Sequence, residues 1–162
     1  MTTSGKNVRT MLWNQSMQKD LNSKQKKDLA DEHVEVADKS LARALDCARA
    51  AIDKKAENLK ILDVSKISGF TDYFVICSAL TDRQVEAIAN AVERELRNKK
   101  VKILNSEGRT DHRWVLLDFG DVIVHIFLDA LRDYYRLEEL WSSARPVSVP
   151  SEFYGPGVKR LN

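Results

Sequence analysis

The 162-residue chain has only two cysteines, and their positions fit no ligand or redox spacing. Cys47 falls in a helical pattern and Cys77 in an apolar run. Both read as small core residues rather than as a disulfide or a metal pair. Glycines number six and prolines three. No glycine-rich phosphate loop and no Walker-type Lys-Ser/Thr occurs, which removes the commonest cradle for a nucleotide. Long apolar runs are missing too. No segment approaches the roughly 20 apolar residues that span a bilayer, and the N-terminus lacks the apolar stretch of a signal peptide. A cytoplasmic, reducing location is the expectation. Neither sign of charge dominates. Lys and Arg total 26 against 24 Asp and Glu, a formal net charge of +2. The chain is therefore no polycation, and a dominant phosphate-binding role is not implied, although a local basic patch is compatible with these numbers.

What is present sorts into three parts. Residues 1–33 are polar and lysine-rich (Lys19, Lys24, Lys26, Lys27), with scattered Val8, Met11, Leu12, Trp13, Met17 and Leu21. That is too little apolar surface to offset chain entropy, so a disordered extension is expected. Met11, Leu12 and Trp13 offer the alternative of a short helix or an anchor for a partner. Residues 34–142 carry the periodic patterns of a folded domain. Residues 143–162, with Pro146, Pro150, Pro156, Gly155 and Gly157, read as a coil tail.

Within the domain, Leu41, Leu45, Ala48 and Ile52 recur at helical spacing over about 34–58. Residues 59–65 form a strand candidate that Ser68-Gly69 breaks. Tyr73 to Ser78 is a continuous apolar strand, expected to be central and covered on both faces. Thr81 to Lys99 is a helix with a Thr81-x-x-Gln84 capping box and a buried stripe of Val85, Ile88, Ala89, Val92 and Leu96. Val101 to Asn105 is a short strand and Glu107 to Thr110 a loop. Asp129 is expected to cap a last helix over 130–141, with Leu131, Tyr134, Leu137 and Trp141 on one side. The order α-β-β-α-β-β-β-α predicts an α/β (α+β) fold: a mixed five-stranded sheet with helices packed on it.

The stretch from Trp114 to Leu128 organises the rest. Two apolar runs flank Gly120-Asp121, a two-residue hairpin link in which glycine accepts positive φ. With that loop, Phe119 faces Val122, Leu117 faces Val124 and Val115 faces Ile126. This face is wholly apolar and is expected to pack under the helix of 82–98. The other face pairs Asp118 with Ile123, Leu116 with His125 and Trp114 with Phe127. It is aromatic, yet carries a carboxylate and an imidazole.

Catalytic readings of that mixed face are weak. Asp63, Asp72, Asp118 and Asp121 fall near strand ends, where a pair would hold magnesium in a nucleotide-transferring enzyme. Asp118 and Asp121 flank a turn, however, and do not point together. His125 has no evident nucleophilic partner, although a hydrogen bond to Asp118, diagonal across the hairpin, is conceivable. Arg132, Arg136 and Arg145 near Tyr134 and Tyr135 suggest RNA contact, but Asp129, Asp133, Glu138 and Glu139 on the same helix cancel the field. That helix reads as a solvated, salt-bridged face. No catalytic, cofactor or metal site is assigned. Trp114 and Phe127 either fill a second small core or anchor a protein partner, since aromatic anchors dominate interface energetics. Glu107, Asp118 and Asp121 would then form an acidic rim for a basic partner.

Several of these stretches are familiar together. Thr71 to Ser78, Arg83 to Ile88, Glu107-Gly108, the Trp114-x-x-x-Asp118-x-Gly120-Asp121-x-x-x-His125 string and Tyr135-x-Leu137-Glu138-x-Leu140-Trp141 closely resemble the ribosomal silencing factor family, RsfS, also called Iojap. The resemblance covers about residues 40–142. His112 and Arg113 stand where relatives usually place alanine before the tryptophan. The resemblance implies a nucleotidyltransferase-like core without the catalytic motif and a protein that is not an enzyme. It implies binding to the large ribosomal subunit through universal large-subunit protein fourteen. Joining of the small subunit would be blocked sterically, and translation repressed when nutrients are scarce. Large-subunit assembly, the role of organelle relatives, is the alternative within the family, and a degenerate nucleotidyltransferase the alternative outside it. Homodimers and proximity to rRNA also fit the family. The partner-binding residues expected are Glu107, Trp114, Leu116, Asp118, Asp121, His125 and Phe127.

Overall fold

The computed structural model describes the backbone of residues 4–156 and the side chains of residues 22–156. The chain divides into two compact units, one ending at Asp38 and the other beginning at Lys39. Helix α1 covers Ser4–Asp53. Residues 4–33, expected to be an extension of the domain, have helical backbone. Residues 4–53 contain no proline and a single glycine, Gly5, among many Lys, Gln, Leu, Met and Ala. These residues lose little side-chain freedom in a helix. From Asn22 to Lys39 every side chain is exposed, as the shortage of apolar residues requires. The side chains of Met11, Leu12 and Trp13 lie outside the described residues.

In the second unit, the last turns of α1 are followed by β1 (Glu57–Asp63), β2 (Tyr73–Ala79), α2 (Asp82–Asn98), β3 (Asn105–Glu107), β4 (Trp114–Asp118), β5 (Val122–Leu128), α3 (Asp129–Tyr135), α4 (Leu137–Leu140), β6 (Arg145–Val147) and a 3-10 turn, Ser151–Tyr154. The strands form one mixed sheet in the order β3-β4-β5-β2-β1-β6. Only β2 and β5 run parallel; the other pairs are antiparallel. All seven residues of β2 are buried, the expectation for a continuous apolar strand inside a sheet.

The sheet has six strands rather than five. The sixth comes from the tail, where β6 adds to the β1 edge with Asp63 opposite Arg145. Arg145 donates to Asp63 Oδ2 at 2.7 Å. Pro146 is tolerated because an edge strand has one side without ladder partners. The third strand also lies later than expected. Residues 101–104 are irregular, and pairing starts at Asn105, opposite Asp118. The stretch 130–141 is not one helix: Arg136 adopts a left-handed conformation, φ 49°, between α3 and α4. Asp129 does not cap α3 but lies in its first turn, and Leu128 occupies the cap position without a side-chain bond.

Helix α2 follows its sequence closely. Thr81 Oγ1 accepts from Gln84 N at 3.1 Å, satisfying one orphan donor of the first turn. Gln84 does more than complete the box. Its Oε1 accepts from Leu80 N, and its Nε2 donates to the carbonyls of Lys54 and Lys55, tying the start of α2 to the end of α1. The stripe Val85, Ile88, Ala89, Val92 and Leu96 is buried in the main core against Val115, Leu117, Val124 and Ile126. Cys47 belongs to that core and so does Cys77; burial pushes both thiols up, so neither is a reactive thiolate.

The opposite sheet face carries a smaller cluster of Leu62, Val64, Phe74, Ile76, Ile123 and Phe127, capped by Leu131, Leu137 and Trp141. Arg132 pins this cap, and its burial corrects the reading of a wholly solvated helix. Its guanidinium donates to Glu138 Oε1 at 2.6 and 3.0 Å, to the Asn58 carbonyl at 2.7 Å and to Ser78 Oγ at 3.0 Å. Burial alone would raise the Glu138 carboxyl. The hydrogen bonds and charge of Arg132 outweigh it and hold the group below the usual carboxylate range. One arginine thus joins β1, β2, α3 and α4, and it bridges the kink at Arg136.

Candidate functional site: the open half of the sheet

Strand alternation places Val115 and Leu117 in the main core and turns Trp114, Leu116 and Asp118 to the other face. The pairing is the one expected: Trp114 opposite Phe127, Leu116 opposite His125, Asp118 opposite Ile123. Phe119 N donates to the Val122 carbonyl at 2.9 Å, and Gly120 closes the turn at φ 94°. Asn105 and Glu107 of β3 lie opposite Asp118 and Leu116, so they share this face. Helix α3 rests on β5 and β2. Towards the β3 edge the face is open: Trp114, Leu116 and Asp118 are half-buried and Asn105 and Glu107 exposed.

The expected residues therefore separate into three groups. Glu107, Trp114, Leu116 and Asp118 stand together on accessible surface. Phe127 is 0% exposed and His125 5%, so neither presents surface to a partner; they support the face from beneath. Trp114 stacks on Phe127 with centroids 4.8 Å apart and packs on Tyr135 at 4.8 Å. Asp121 is turned away from the open face towards α1. Its carboxylate accepts from Ser40 Oγ at 2.8 Å and pairs with Arg43. Asp72 Oδ2 accepts from the same hydroxyl at 3.1 Å. The two aspartates are thus engaged in holding a helix to a turn. Among the described residues no group of three His, Cys, Asp or Glu is placed to hold a metal ion. No helix there is long and apolar enough to cross a membrane.

His125 pairs with Trp114 and not with Asp118. The indole Nε1 donates to His125 Nδ1 at 3.2 Å, while Asp118 Oδ1 accepts from Gly120 N at 2.8 Å. Both 114 and 118 are diagonal neighbours of 125, some 7–8 Å away along the ladder. The indole is long enough to span that diagonal, whereas the short carboxylate stays with its own turn. Phe74 closes the other side of the imidazole, edge-on at 5.3 Å. Burial lowers the His125 pKa from 6.5 to about 4, so the ring is neutral at pH 7 and Nδ1 is free to accept.

A pH dependence follows. The folded-state value lies below the unfolded one, so the unfolded chain takes up the proton first as pH falls. Stability is full above about 6.5 and is lost between there and about 4. The loss is roughly 3 kcal/mol at about 1.4 kcal/mol per unit. Urea unfolding of the wild type and His125→Gln at pH 7 and pH 4 isolates this contribution. Glutamine keeps an acceptor for the indole without a titrating ring, and its loss over the interval is expected to be smaller by about that amount. Equal losses in the two proteins would show that His125 is not buried neutral.

One aromatic residue, Phe70, was missed by the sequence reading. Phe70, 62% exposed, meets Trp141 edge-on at 6.0 Å, and Trp141 meets Phe74 at 4.9 Å. They add an apolar margin on the β2 side of the face. The available signal was an aromatic residue directly after Gly69 in an otherwise polar break.

Residues 37–159 match the family model for the ribosomal silencing factor during starvation. A relative named ribosomal silencing factor RsfS from Bacillus subtilis is 43% identical over 97 residues, 60% of this chain and 82% of the relative. A mouse relative named mitochondrial assembly of ribosomal large subunit protein 1 is 28% identical over 92 residues, 55% of this chain and 40% of that protein. A crystal structure from Chromobacterium violaceum has a TM-score of 0.59 and 37% identity over 65% of this chain and 90% of that one.

Proposed function

The chain belongs to the ribosomal silencing factor family, and from that premise we propose that it binds the large ribosomal subunit through universal large-subunit protein fourteen and blocks joining of the small subunit. The observation that carries this reading is the half-open sheet face: Trp114 and Leu116 present apolar surface, flanked by Asp118 and Glu107. A ribosomal protein surface is basic and set among phosphates. An aromatic patch with a carboxylate rim complements it and discourages wrong docking on RNA. An anchor such as Trp114 contributes ~2 kcal/mol or more when seated in a notch. Its rotamer is already set by Phe127, Tyr135 and His125, so little side-chain freedom is lost on docking. Inhibition is steric, because two bodies cannot occupy one bridge surface. No reaction is invoked, and the site of action is the cytoplasm.

The test is co-sedimentation of the purified chain with ribosomal particles. It should pellet with isolated large subunits and not with joined ribosomes or small subunits. Glu107→Lys reverses a rim charge on exposed surface and should weaken binding about tenfold with an unchanged thermal transition. Equal pelleting with small subunits alone would end the silencing reading. Large-subunit assembly is a second reading, supported by the name of the mouse relative. It predicts that cells lacking the protein accumulate large-subunit precursors during rapid growth; silencing predicts mature subunits that fail to separate in starvation.

A further inference from the structure

At the C-terminal end of α2 lies a groove with a basic lining. Helix α2 ends at Asn98, and Lys100, at φ 63°, turns the chain. Val101 N then donates to the Leu96 carbonyl at 2.9 Å. Val101 and Ile103 pack on the main core, and with Arg97, Lys100 and Lys102 they line a groove of about 480 Å³. No carboxylate lines it.

Cations at a helix C-terminus have an ordinary explanation, since they complement the helix dipole. That explanation accounts for two neighbours. Lys99 meets Asp46 at 2.6 Å and Glu95 at 3.5 Å, and Arg97 meets Glu93 at 2.9 Å. It does not account for Lys100 and Lys102, which lie beyond the helix, are exposed, and have no ion pair among the described residues. Two free ammonium groups with no carboxylate between them suit a ligand with closely spaced anionic groups, as a nucleic-acid backbone has. From the groove the chain runs on to the edge strand of the sheet. Leu104 N donates to the Asp118 carbonyl at 2.7 Å, and the next residue begins β3 at the open edge of the sheet.

We propose that this groove takes the phosphate backbone of ribosomal RNA beside the docked protein partner, with Lys100 and Lys102 as the phosphate-binding groups. The proposal rests on the ribosome-binding reading for its location, though not for its chemistry. The surface then has two signs for two neighbours: carboxylates for a basic protein and lysines for the RNA around it.

Two measurements test it. A short RNA duplex titrated into the full chain at low salt should shift the backbone amides of residues 97–104. Lys100→Glu combined with Lys102→Glu should remove those shifts while keeping the wild-type thermal transition. Shifts confined to other residues, or no shifts, would overturn the proposal. In the second measurement, affinity for isolated large subunits is followed against salt. The double variant should bind at least tenfold more weakly, with a log–log salt slope shallower by about 2, near 0.9 for each phosphate that is no longer neutralised. An unchanged affinity and slope would overturn the proposal. So would weaker binding with an unchanged slope, which would put a protein segment in the groove. If the wild type shows the RNA shifts but fails to bind large subunits, the groove stands and the ribosome reading falls.

Discussion

Val124→Asp is expected to abolish the cooperative thermal transition at pH 7. Val124 is 0% exposed, lies opposite Leu117 on one side and Val75 on the other, and belongs to the main core under α2. The substitution removes a buried aliphatic side chain, worth about 2 kcal/mol. It also puts a carboxyl among groups that offer no hydrogen bond. An isolated ionised carboxylate there costs far more than the roughly 5–15 kcal/mol by which domains are stable. Neutralising it by protonation still costs several kcal/mol at pH 7. Val124→Ala is the control: it leaves a cavity, costs roughly 2 kcal/mol, and keeps a two-state transition. Thermal unfolding followed by circular dichroism reads both. A Val124→Asp protein with the wild-type midpoint would mean that the hairpin is shifted by one residue, with the mixed face buried in place of the aliphatic one.

Gly108→Ala is expected to cost about 3 kcal/mol and to displace Trp114. A Cβ on Gly108 would stand 1.8 Å from the Trp114 carbonyl oxygen and 2.8 Å from its carbonyl carbon. Backbone has to move, and φ 75° adds strain for any side chain. The loop has little freedom to yield. Arg109 holds it to Ser106, Asn90 and Glu93, and the Arg113 carbonyl accepts from Leu128 N at 2.8 Å. Gly120→Ala provides the comparison. Its φ is also positive, but the added Cβ meets only the end of the Leu104 side chain at 3.3 Å, which can rotate aside. The expected order of midpoints is wild type, Gly120→Ala, then Gly108→Ala. Near-UV circular dichroism should change more for Gly108→Ala, because Trp114 is the ring beside the displaced carbonyl. A near-wild-type midpoint for Gly108→Ala would contradict the close approach of this loop to β4. The Glu107-Gly108 pair of the sequence thereby joins an exposed charge, the rim of the proposed docking face, to a position where only hydrogen fits.

The legible part of the site was the part that alternation controls. Within a strand the side-chain period is two, and a two-residue glycine turn leaves one register. Trp114, Leu116 and Asp118 could therefore be placed on one face from their spacing alone, opposite Phe127, His125 and Ile123. The apolar stripe and cap of α2 were legible for the same reason, since both depend on neighbours within four residues. Which members of the mixed face remain accessible was not local information. It depends on where Leu131, Leu137 and Trp141 come to rest beside Phe127, and on Trp114 and Phe74 closing on His125, while β4 and β3 stay open.

Other outcomes hung on distant partners in the same way. Arg132 reads as one more exposed helix charge until Asn58, 74 residues earlier, and Ser78, 54 residues earlier, are brought to it. Arg145 and Pro146 read as coil until β1 offers an unpaired edge. Phe70 becomes part of the face only by meeting Trp141. By itself, then, the sequence determined the mixed α/β class, the hairpin register, the α2 stripe and the family, because each follows from short-range periodicity or from a motif of fixed spacing. Only the tertiary structure decided which half of the mixed face is core and which half stays accessible, because burial there is set by residues distant in the chain, Phe74 before the hairpin and Leu131, Leu137 and Trp141 after it.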